Sequence, residues 1–174
     1  MRLADDDFTL LGLPRRHALD RAELDERWRR LQSEVHPDRF AAEGAAAQRV
    51  AMQWALRVNE AYRRLKDPLA RAAYMCELAG APVEAESNTS MSGSFLMQQM
   101  QWRETLEEAA TLEEVQALED EVLQAERRQL QQAQHLLDEA GDAPAAAAQV
   151  RALMFVQRFR QDIERRLEAL DAGR

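Results

Sequence analysis

The sequence predicts an all-α protein built from two modules, and three observations lead to this prediction. Residues that favour helices, chiefly Ala, Leu, Glu, Gln and Arg, dominate the chain of 174 residues. Only 6 Gly and 5 Pro interrupt them, and apolar residues recur at helical spacing. The charge is divided between the two halves, which indicates modules with different partners.

The two halves of the chain differ in net charge. Residues 1–74 hold 14 Lys and Arg against 12 Asp and Glu, a net +2, and residues 75–174 hold 9 against 19, a net −10. Because half of the chain is acidic and no run reaches the ~18 apolar residues of a membrane span, we expect neither nucleic acid nor a membrane as partner. The single cysteine, Cys76, excludes an internal disulfide, and no N-terminal signal segment is visible, which favours the cytoplasm.

The first module, residues 1–76, is predicted to be a helical hairpin with short flanking helices. A short helix begins near Asp7, and a long one begins after Asp20 and ends at Pro37, which lacks an N–H group. A loop over residues 38–44 and a second long helix over about 45–66 follow. A short helix then runs through Tyr74. The apolar stripes expected to form the core are Leu24, Trp28, Leu31 and Val35, then Val50, Ala51, Trp54, Val58, Ala61, Tyr62 and Leu65.

The second module, residues 94–174, is predicted to be a three-helix bundle. Residues 77–93, with Pro, Ser, Asn, Thr and Gly, are expected to connect the modules. The helices are expected at about 94–110, 111–140 and 144–171, with a capping box between Thr111 and Glu114. Short connections make neighbouring helices antiparallel. The core positions expected on the last two helices are Val115, Leu118, Val122, Leu153, Val156, Ile163 and Leu170.

The tripeptide His36-Pro37-Asp38 is the strongest functional signal in the chain. A rigid proline turn displays one imidazole and one carboxylate between two amphipathic helices. Opposite charges would steer such a basic surface to an acidic protein partner, and the carboxylate can bind a partner arginine. On its own, the tripeptide is also compatible with a histidine that ends a helix and an aspartate that binds loop amides. The basic side chains around it are Arg27, Arg29, Arg30 and Arg39.

The helix at 94–110 has more apolar residues than one buried face needs. At about 100° per residue, one set forms a core face, and it consists of Phe95, Trp102, Leu106 and Ala109. The opposite set forms an apolar patch edged by acids, which favours protein docking, and it consists of Leu96, Met97, Met100, Gln101, Glu104 and Glu108. Phe155 of the third helix is expected to join this patch. The alternative is that Leu96 and Met100 pack under the third helix or the first module.

The other chemically versatile residues are expected to have structural roles. His17 and His135 are predicted to be solvated, and Trp28 and Trp54 to lie in the core. Cys76 is predicted to be a half-buried apolar group, because it and the three histidines lack metal-ligand spacing. The tripeptide has no companion nucleophile, oxyanion site or phosphate loop, so we expect no catalysis, metal or cofactor.

Four stretches of the chain carry a family resemblance, and they are Phe8-Thr9-Leu10-Leu11-Gly12-Leu13-Pro14, His36-Pro37-Asp38-Arg39-Phe40, Asn59-Glu60-Ala61-Tyr62 with Leu65-Lys66-Asp67-Pro68-Leu69 and Arg71-Ala72, and Phe95-Leu96-Met97. With them, residues 1–74 resemble a J-domain, the module of DnaJ-type co-chaperones. Nearly the whole chain resembles the narrower HscB family of iron–sulfur co-chaperones. We therefore predict an L-shaped arrangement of two domains.

The resemblance implies two partners. His36, Pro37 and Asp38, helped by the basic helix, would stimulate ATP hydrolysis by the DnaK-type chaperone HscA. The patch of the second module, with Phe155, would bind the scaffold protein IscU. Glu34 and Gln101 stand where relatives carry a basic and an acidic residue, and the cysteine-rich zinc segment of eukaryotic relatives is missing. The chain itself is expected to be a non-catalytic adaptor that is a monomer or weak dimer.

Two other functions remain open at this point. A J-domain protein with a different client would share residues 1–74 and differ only in the patch. A stand-alone helical scaffold protein would carry the tripeptide by chance.

Overall fold

The computed structural model describes residues 2–85 and 90–173, and within these ranges the chain is helical with no β-strand, which confirms the all-α prediction. Two compact units are present, Met1–Met75 and Cys76–Arg174. Residues 86–89 of the predicted connecting segment lie outside the described residues, and the predicted domain boundaries stay predictions. The helices are α1 (Asp7–Leu11), α2 (Arg21–Val35), α3 (Ala45–Lys66), α4 (Pro68–Leu78), α5 (Gly93–Glu108), α6 (Leu112–Asp138) and α7 (Ala143–Ala172).

Helix α1 is short, and its caps and one buried ion pair fix its position. Asp6 caps its N-terminus, and Gly12, at φ +66°, ends it in the left-handed conformation that favours glycine. The Asp7 side chain is fully buried, and its carboxylate oxygens lie 2.7 Å from Nη1 of Arg57 and 3.1 Å from Nη1 of Arg64. The start of the chain is therefore bound to α3 by charge as well as by apolar packing.

Helices α2 and α3 form the predicted antiparallel hairpin. Asp25, early in α2, bonds to Tyr62, late in α3, whereas Gln32 near the end of α2 reaches back to Asn59. Pro37 ends α2, because its ring removes an N–H group and restricts the preceding residue to extended backbone. The buried residues of the pair are Leu24, Leu31, Val35, Ala51, Val58, Ala61 and Leu65.

The prediction of a loop over residues 38–44 was wrong, because Pro37–Glu43 forms a 3-10 helix. Proline suits the first turn of a helix, where its fixed φ is already helical. The Arg39 amide donates to the His36 carbonyl at 3.0 Å, which is the i to i+3 spacing of a 3-10 helix. The connection between α2 and α3 is therefore an ordered element.

The prediction that the whole α3 stripe is core was also wrong at its N-terminal end. Val50 is 53% exposed and Trp54 is only partly buried. On α2, Trp28 is also only partly buried, against the prediction that it lies in the core. Helix α2 ends at Val35, so the start of the longer α3 faces the 3-10 helix instead. This mismatch opens an apolar cleft of about 410 Å³, and the residues that line it are Val35, Phe40, Glu43, Ala47, Val50, Ala51 and Trp54.

Two versatile side chains are more buried than predicted. His17 is only 3% exposed, because its Nε2 lies 2.8 Å from the Pro68 carbonyl oxygen, which satisfies the ring inside the protein. Cys76 is fully rather than half buried, and this burial raises the pKa of its thiol to about 11. His135 is exposed, as predicted, with Nδ1 3.0 Å from Glu139.

Helices α5, α6 and α7 surround one apolar core, as predicted for the second module. The predicted capping box between Thr111 and Glu114 is present at the start of α6. The Trp102 ring stacks on Phe159 with centroids 5.9 Å apart, and its Nε1 donates to Glu121 at 2.9 Å. Trp102 therefore fixes α5 against both other helices. In the part of the chain that is described, no helix is both long and apolar enough to cross a membrane.

Candidate partner-binding sites

The tip of the hairpin holds the predicted tripeptide in a fixed and exposed geometry. The Asp38 amide donates to Nδ1 of His36, with 3.3 Å between the nitrogens, which leaves Nε2 free to donate to a partner. The imidazole is 53% exposed and the Asp38 carboxylate 90% exposed, with 3.7 Å between Nδ1 and Oδ2. The tip therefore presents a donor and a carboxylate side by side.

A shallow recess lies beside the tip, and its lining residues are Arg29, Gln32, Ser33, His36 and Arg39. Nη1 of Arg39 donates to the Ser33 carbonyl at 3.3 Å, so its guanidinium lies across the end of α2. Arg29 and Arg30 are exposed one to two turns earlier on α2. Two guanidiniums and an imidazole in one recess suit a carboxylate from a partner protein.

Arg27 differs from the other basic residues of the prediction. Its Nη2 bonds to Glu23 at 3.2 Å, and its side chain is 35% exposed. Its Nη1 also lies 3.1 Å from the place that a Cβ at Gly12 would take, so the guanidinium covers the end of α1. Arg27 is therefore engaged within the first unit, and its contact with a partner stays a prediction.

Helix α5 has the two faces that its periodicity predicts. Phe95, Trp102 and Ala109 are buried, whereas Leu96, Met97 and Met100 are 47%, 72% and 70% exposed. These exposures exclude the alternative in which Leu96 and Met100 pack under the third helix of their own unit. The polar residues of the patch that are also exposed are Gln101, Glu104 and Glu108.

Phe155 is half-buried and packs against the core cluster that contains Phe95 and Trp102. The guanidinium carbon of Arg158 lies 5.5 Å from the centroid of the Phe155 ring. This cation–π contact places a positive charge on the α7 side, opposite in sign to the carboxylates of α5. Sequence reasoning missed Arg158, although its spacing of three residues from Phe155 on a helix is a usable signal.

Sequence reasoning also missed the role of Gln32 and Asn59 near the tip. Gln32 lines the recess and lies 3.5 Å from Asn59, which accepts a bond from Trp28 at 2.9 Å. Only the register of the two helices brings these residues together, and periodicity does not give register. Within residues 2–85 and 90–173, no group of three or more His, Cys, Asp or Glu is arranged to hold a metal ion.

Comparisons with known proteins agree with this geometry. Residues 91–164 match the family model described as the HSCB C-terminal oligomerisation domain. A co-chaperone protein HscB homolog of Bordetella pertussis is 50% identical over 161 residues, with 92% of this chain and 95% of that protein covered. The homolog of Burkholderia multivorans is 48% identical over 172 residues, with 97% and 98% covered.

Two solved structures resemble the fold. The chaperone HscB from Vibrio cholerae has a TM-score of 0.80 at 35% identity, covering 95% of this chain and 99% of that one. The human co-chaperone protein HscB has a TM-score of 0.87 at 24% identity, covering 94% and 83%, and it supports the fold alone.

A helical hairpin with an exposed His-Pro-Asp tip, followed by a second helical unit, defines the class of J-domain co-chaperones. The relatives narrow this class to one family, since they match almost the full length of the chain at about 50% sequence identity. The chain belongs to the HscB family of co-chaperones.

Proposed function

We propose that this co-chaperone stimulates the ATPase of a DnaK-type chaperone, HscA, and delivers the scaffold protein IscU to it during iron–sulfur cluster assembly. The tip and the recess beside it contact the chaperone. The exposed patch of α5, with Phe155, binds the scaffold. The adaptor needs no cofactor of its own and works in the cytoplasm, where its single buried thiol stays reduced.

The geometry of the tip is the observation that carries the proposal. The Asp38 carboxylate is 90% exposed, although it stands in an ordered 3-10 helix with basic neighbours that would readily pair with it. Arg39 turns instead to the Ser33 carbonyl. A carboxylate held out in this way suits a charge-assisted bond to an arginine of a partner, which is a strong and directional contact.

The patch on α5 supports the second half of the proposal. Three large apolar side chains lie exposed on one helix face, and carboxylates border them. Contiguous apolar surface of this kind marks protein interaction sites, and Met side chains adapt to a partner's shape. Residues 75–174 carry a net −10, so a scaffold with a basic rim would be steered to this face.

Coupling between the two events follows from linkage. If chaperone and scaffold bind the same co-chaperone, delivery of the scaffold increases when the scaffold and the co-chaperone favour the same state of the chaperone. The co-chaperone contributes proximity, and the chemistry of ATP hydrolysis takes place in the partner.

A steady-state ATPase assay tests the chaperone contact. Asp38→Asn keeps the shape of the tip and removes its charge, so we expect stimulation of HscA to fall to the basal rate. Glu43→Gln is the matched control, since it removes one exposed carboxylate from the same 3-10 helix. Stimulation by Asp38→Asn equal to that of the wild type would refute the adaptor proposal and favour a stand-alone helical scaffold.

A binding titration with IscU tests the client. The joint change Leu96→Ala, Met97→Ala and Phe155→Ala removes the apolar surface, and we expect affinity to fall at least tenfold with circular dichroism unchanged. The control is Met52→Ala with Leu56→Ala, which removes similarly exposed apolar groups from α3. Unchanged affinity in the triple variant, with chaperone stimulation intact, would favour a J-domain protein with a different client.

We also propose that the chain is a monomer or weak dimer at the concentrations of these assays. The like charge of residues 75–174 opposes close approach of two copies of that region. Sedimentation at low and at 0.5 M salt measures this directly, and a tight dimer at low salt would contradict it.

A further inference from the structure

A seam of aromatic and polar contacts joins α2 to α3 along one edge of the hairpin. The rings of Trp28 and Tyr62 stack with centroids 4.4 Å apart and planes 17° apart. Nε1 of Trp28 donates to Oδ1 of Asn59 at 2.9 Å, and the Tyr62 hydroxyl donates to Asp25 at 2.9 Å. Trp28, Asn59 and Tyr62 are all partly buried, so these bonds are shielded from full competition by water.

At the base of the hairpin, charged groups of both helices surround the seam. Arg21 donates to Asp25 at 2.8 Å, and this bond and the Tyr62 hydroxyl hold the pKa of the Asp25 carboxyl below its ordinary value. Lys66 and Arg21 lie 5.6 Å and 5.9 Å from the centroid of the Tyr62 ring. The contact between Trp28 and Tyr62 is therefore enclosed by charged groups at the base of the hairpin.

The seam continues into the recess beside the tip. Oδ1 of Asn59, which accepts from Trp28, also lies 3.5 Å from Nε2 of Gln32. Gln32 lines the recess together with Arg29, which directly follows Trp28 in the sequence. The Asn59 side-chain oxygen on α3 thus accepts from two α2 side chains, Trp28 and Gln32, which lie on either side of Arg29 in the sequence.

The rest of the hairpin interface is apolar and does not fix this arrangement as closely. Leu24, Leu31, Ala51, Val58 and Ala61 pack by burial, which is not directional and tolerates small rotations of one helix on the other. A hydrogen bond weakens steeply away from its best angle. The rotation of α2 about its own axis is therefore set largely by the polar bonds of the seam, those to Asn59 and the one between Tyr62 and Asp25.

We propose that Asn59 and Trp28 are positioning residues for chaperone docking. This proposal rests on the function proposed above. They fix the rotation of α2 against α3 and thereby direct Arg29, Gln32 and the recess toward the partner surface. The tip itself is held separately by the Pro37 turn and by the bond between Asp38 and His36. Loss of the seam should therefore weaken docking while the docked tip still activates.

Titration of HscA ATPase activity with the full chain separates the two effects. Trp28→Phe keeps the stacked ring and removes the Nε1 donor, and Asn59→Leu removes the acceptor at similar volume. We expect each to raise the concentration for half-maximal stimulation about fivefold and to leave maximal stimulation unchanged. The double variant should equal Asn59→Leu, because that change already removes the bond from Trp28 together with the contact from Gln32. Gln53→Leu, an exposed amide on another face of α3, is the matched control and should change neither value.

Each outcome decides the proposal. An unchanged half-maximal concentration in Trp28→Phe and Asn59→Leu, with active wild type and inactive Asp38→Asn, would overturn the positioning role and leave the proposed function intact. A fall in maximal stimulation alone, or additive effects in the double variant, would overturn it as well. If the wild type does not stimulate, the proposed function fails, and this inference fails with it. Trp28→Phe is the variant that decides if Asn59→Leu unfolds, because it keeps the aromatic packing.

Discussion

Within each of the two units, a different balance of polar and apolar contacts holds the helices together. In the first unit, polar bonds cross between helices at buried or half-buried positions, with Asp7 on Arg57 and Arg64, and Trp28 on Asn59. The second unit is built around an apolar core, and its polar bonds between helices, Trp102 to Glu121 and Arg160 to Glu126, are only part-buried, unlike the fully buried Asp7 carboxylate. The central residues of that core are Phe95, Trp102, Val115, Val122, Val156, Phe159 and Ile163.

This difference corresponds to what each unit presents to a partner. Directional polar bonds specify one geometry, which is what the proposed contact of the recess and tip with a chaperone would require. Apolar cores tolerate substitutions that keep their volume nearly constant, and the proposed docking of a scaffold on α5 would use its adaptable Met side chains. If the two units differ in this way, substitutions in one unit should have effects that matched substitutions elsewhere do not.

Breaking the buried ion pair should affect the first unit most. Asp7→Asn removes the buried counter-ion that Arg57 and Arg64 share, and we expect a loss of about 3 kcal/mol in the free energy of unfolding. Urea titration in a Trp102→Phe background measures it, since the remaining tryptophans, Trp28 and Trp54, then report the first unit.

The control for this change is Glu60→Gln, which removes the exposed partner of Arg64. An exposed pair contributes about 0.5 kcal/mol or less. Equal losses in Asp7→Asn and Glu60→Gln would contradict the view that polar bonds hold the first unit.

The second unit should lose stability in alkali. Burial raises the pKa of Cys76 from an ordinary value near 9.0 to about 11. Between these values the unfolded thiol ionises while the folded one keeps its proton, so the unfolded state binds fewer protons and stability falls as pH rises. The contribution is fully present below pH 9.0, and its slope approaches about 1.4 kcal/mol per pH unit above it.

Urea midpoints at about pH 7.5, 9 and 10.5, which bracket the ordinary pKa of a thiol, measure this slope in wild type and Cys76→Ala. The variant should show the shallower decline. Identical declines would mean that the buried thiol does not contribute to the alkaline loss.

The tip should depend on the rigidity of its proline. Pro37→Ala frees the backbone after His36, and we expect chaperone stimulation at a limiting concentration to fall roughly tenfold because the tip must be ordered on binding. Scaffold affinity should not change. Pro14→Ala, an exposed proline of the same unit, is the control, and an equal loss in both would point to general destabilisation.

The acidic rim of the patch should give the smallest effect. Glu104→Gln with Glu108→Gln should lower the association rate with the scaffold about twofold at low salt and flatten its salt dependence. Stopped-flow mixing measures both. Glu113→Gln with Asp120→Asn on α6 is a control of equal charge change, and the same slowing there would mean that total charge acts rather than the rim.

The parts of this molecule that depend on neighbours in sequence could be predicted from sequence. Pro37 alone determines where α2 ends and so exposes His36 and Asp38 at a turn. The two faces of α5 follow from helical periodicity, and Trp102 and Met100 lie on the faces expected of them.

Features that depend on distant pairs could not be predicted. His17 can be buried because its Nε2 forms a hydrogen bond with the carbonyl oxygen of Pro68, 51 positions away. Asn59 meets Trp28 across 31 positions, and only the register of the hairpin determines that pair. Val50 is exposed because α2 is shorter than α3, and a stripe of apolar residues does not reveal how far the opposite helix extends.

The exposed start of α3 has a consequence for motion. Along this helix the apolar stripe changes from 53% exposed at Val50 to fully buried at Val58 and Leu65. Because local opening follows burial, backbone amides near residues 47–50 should exchange with solvent sooner than those from Val58 onward. The start of α3 is thus the least protected part of that helix, whereas the part from Val58 onward is closely packed.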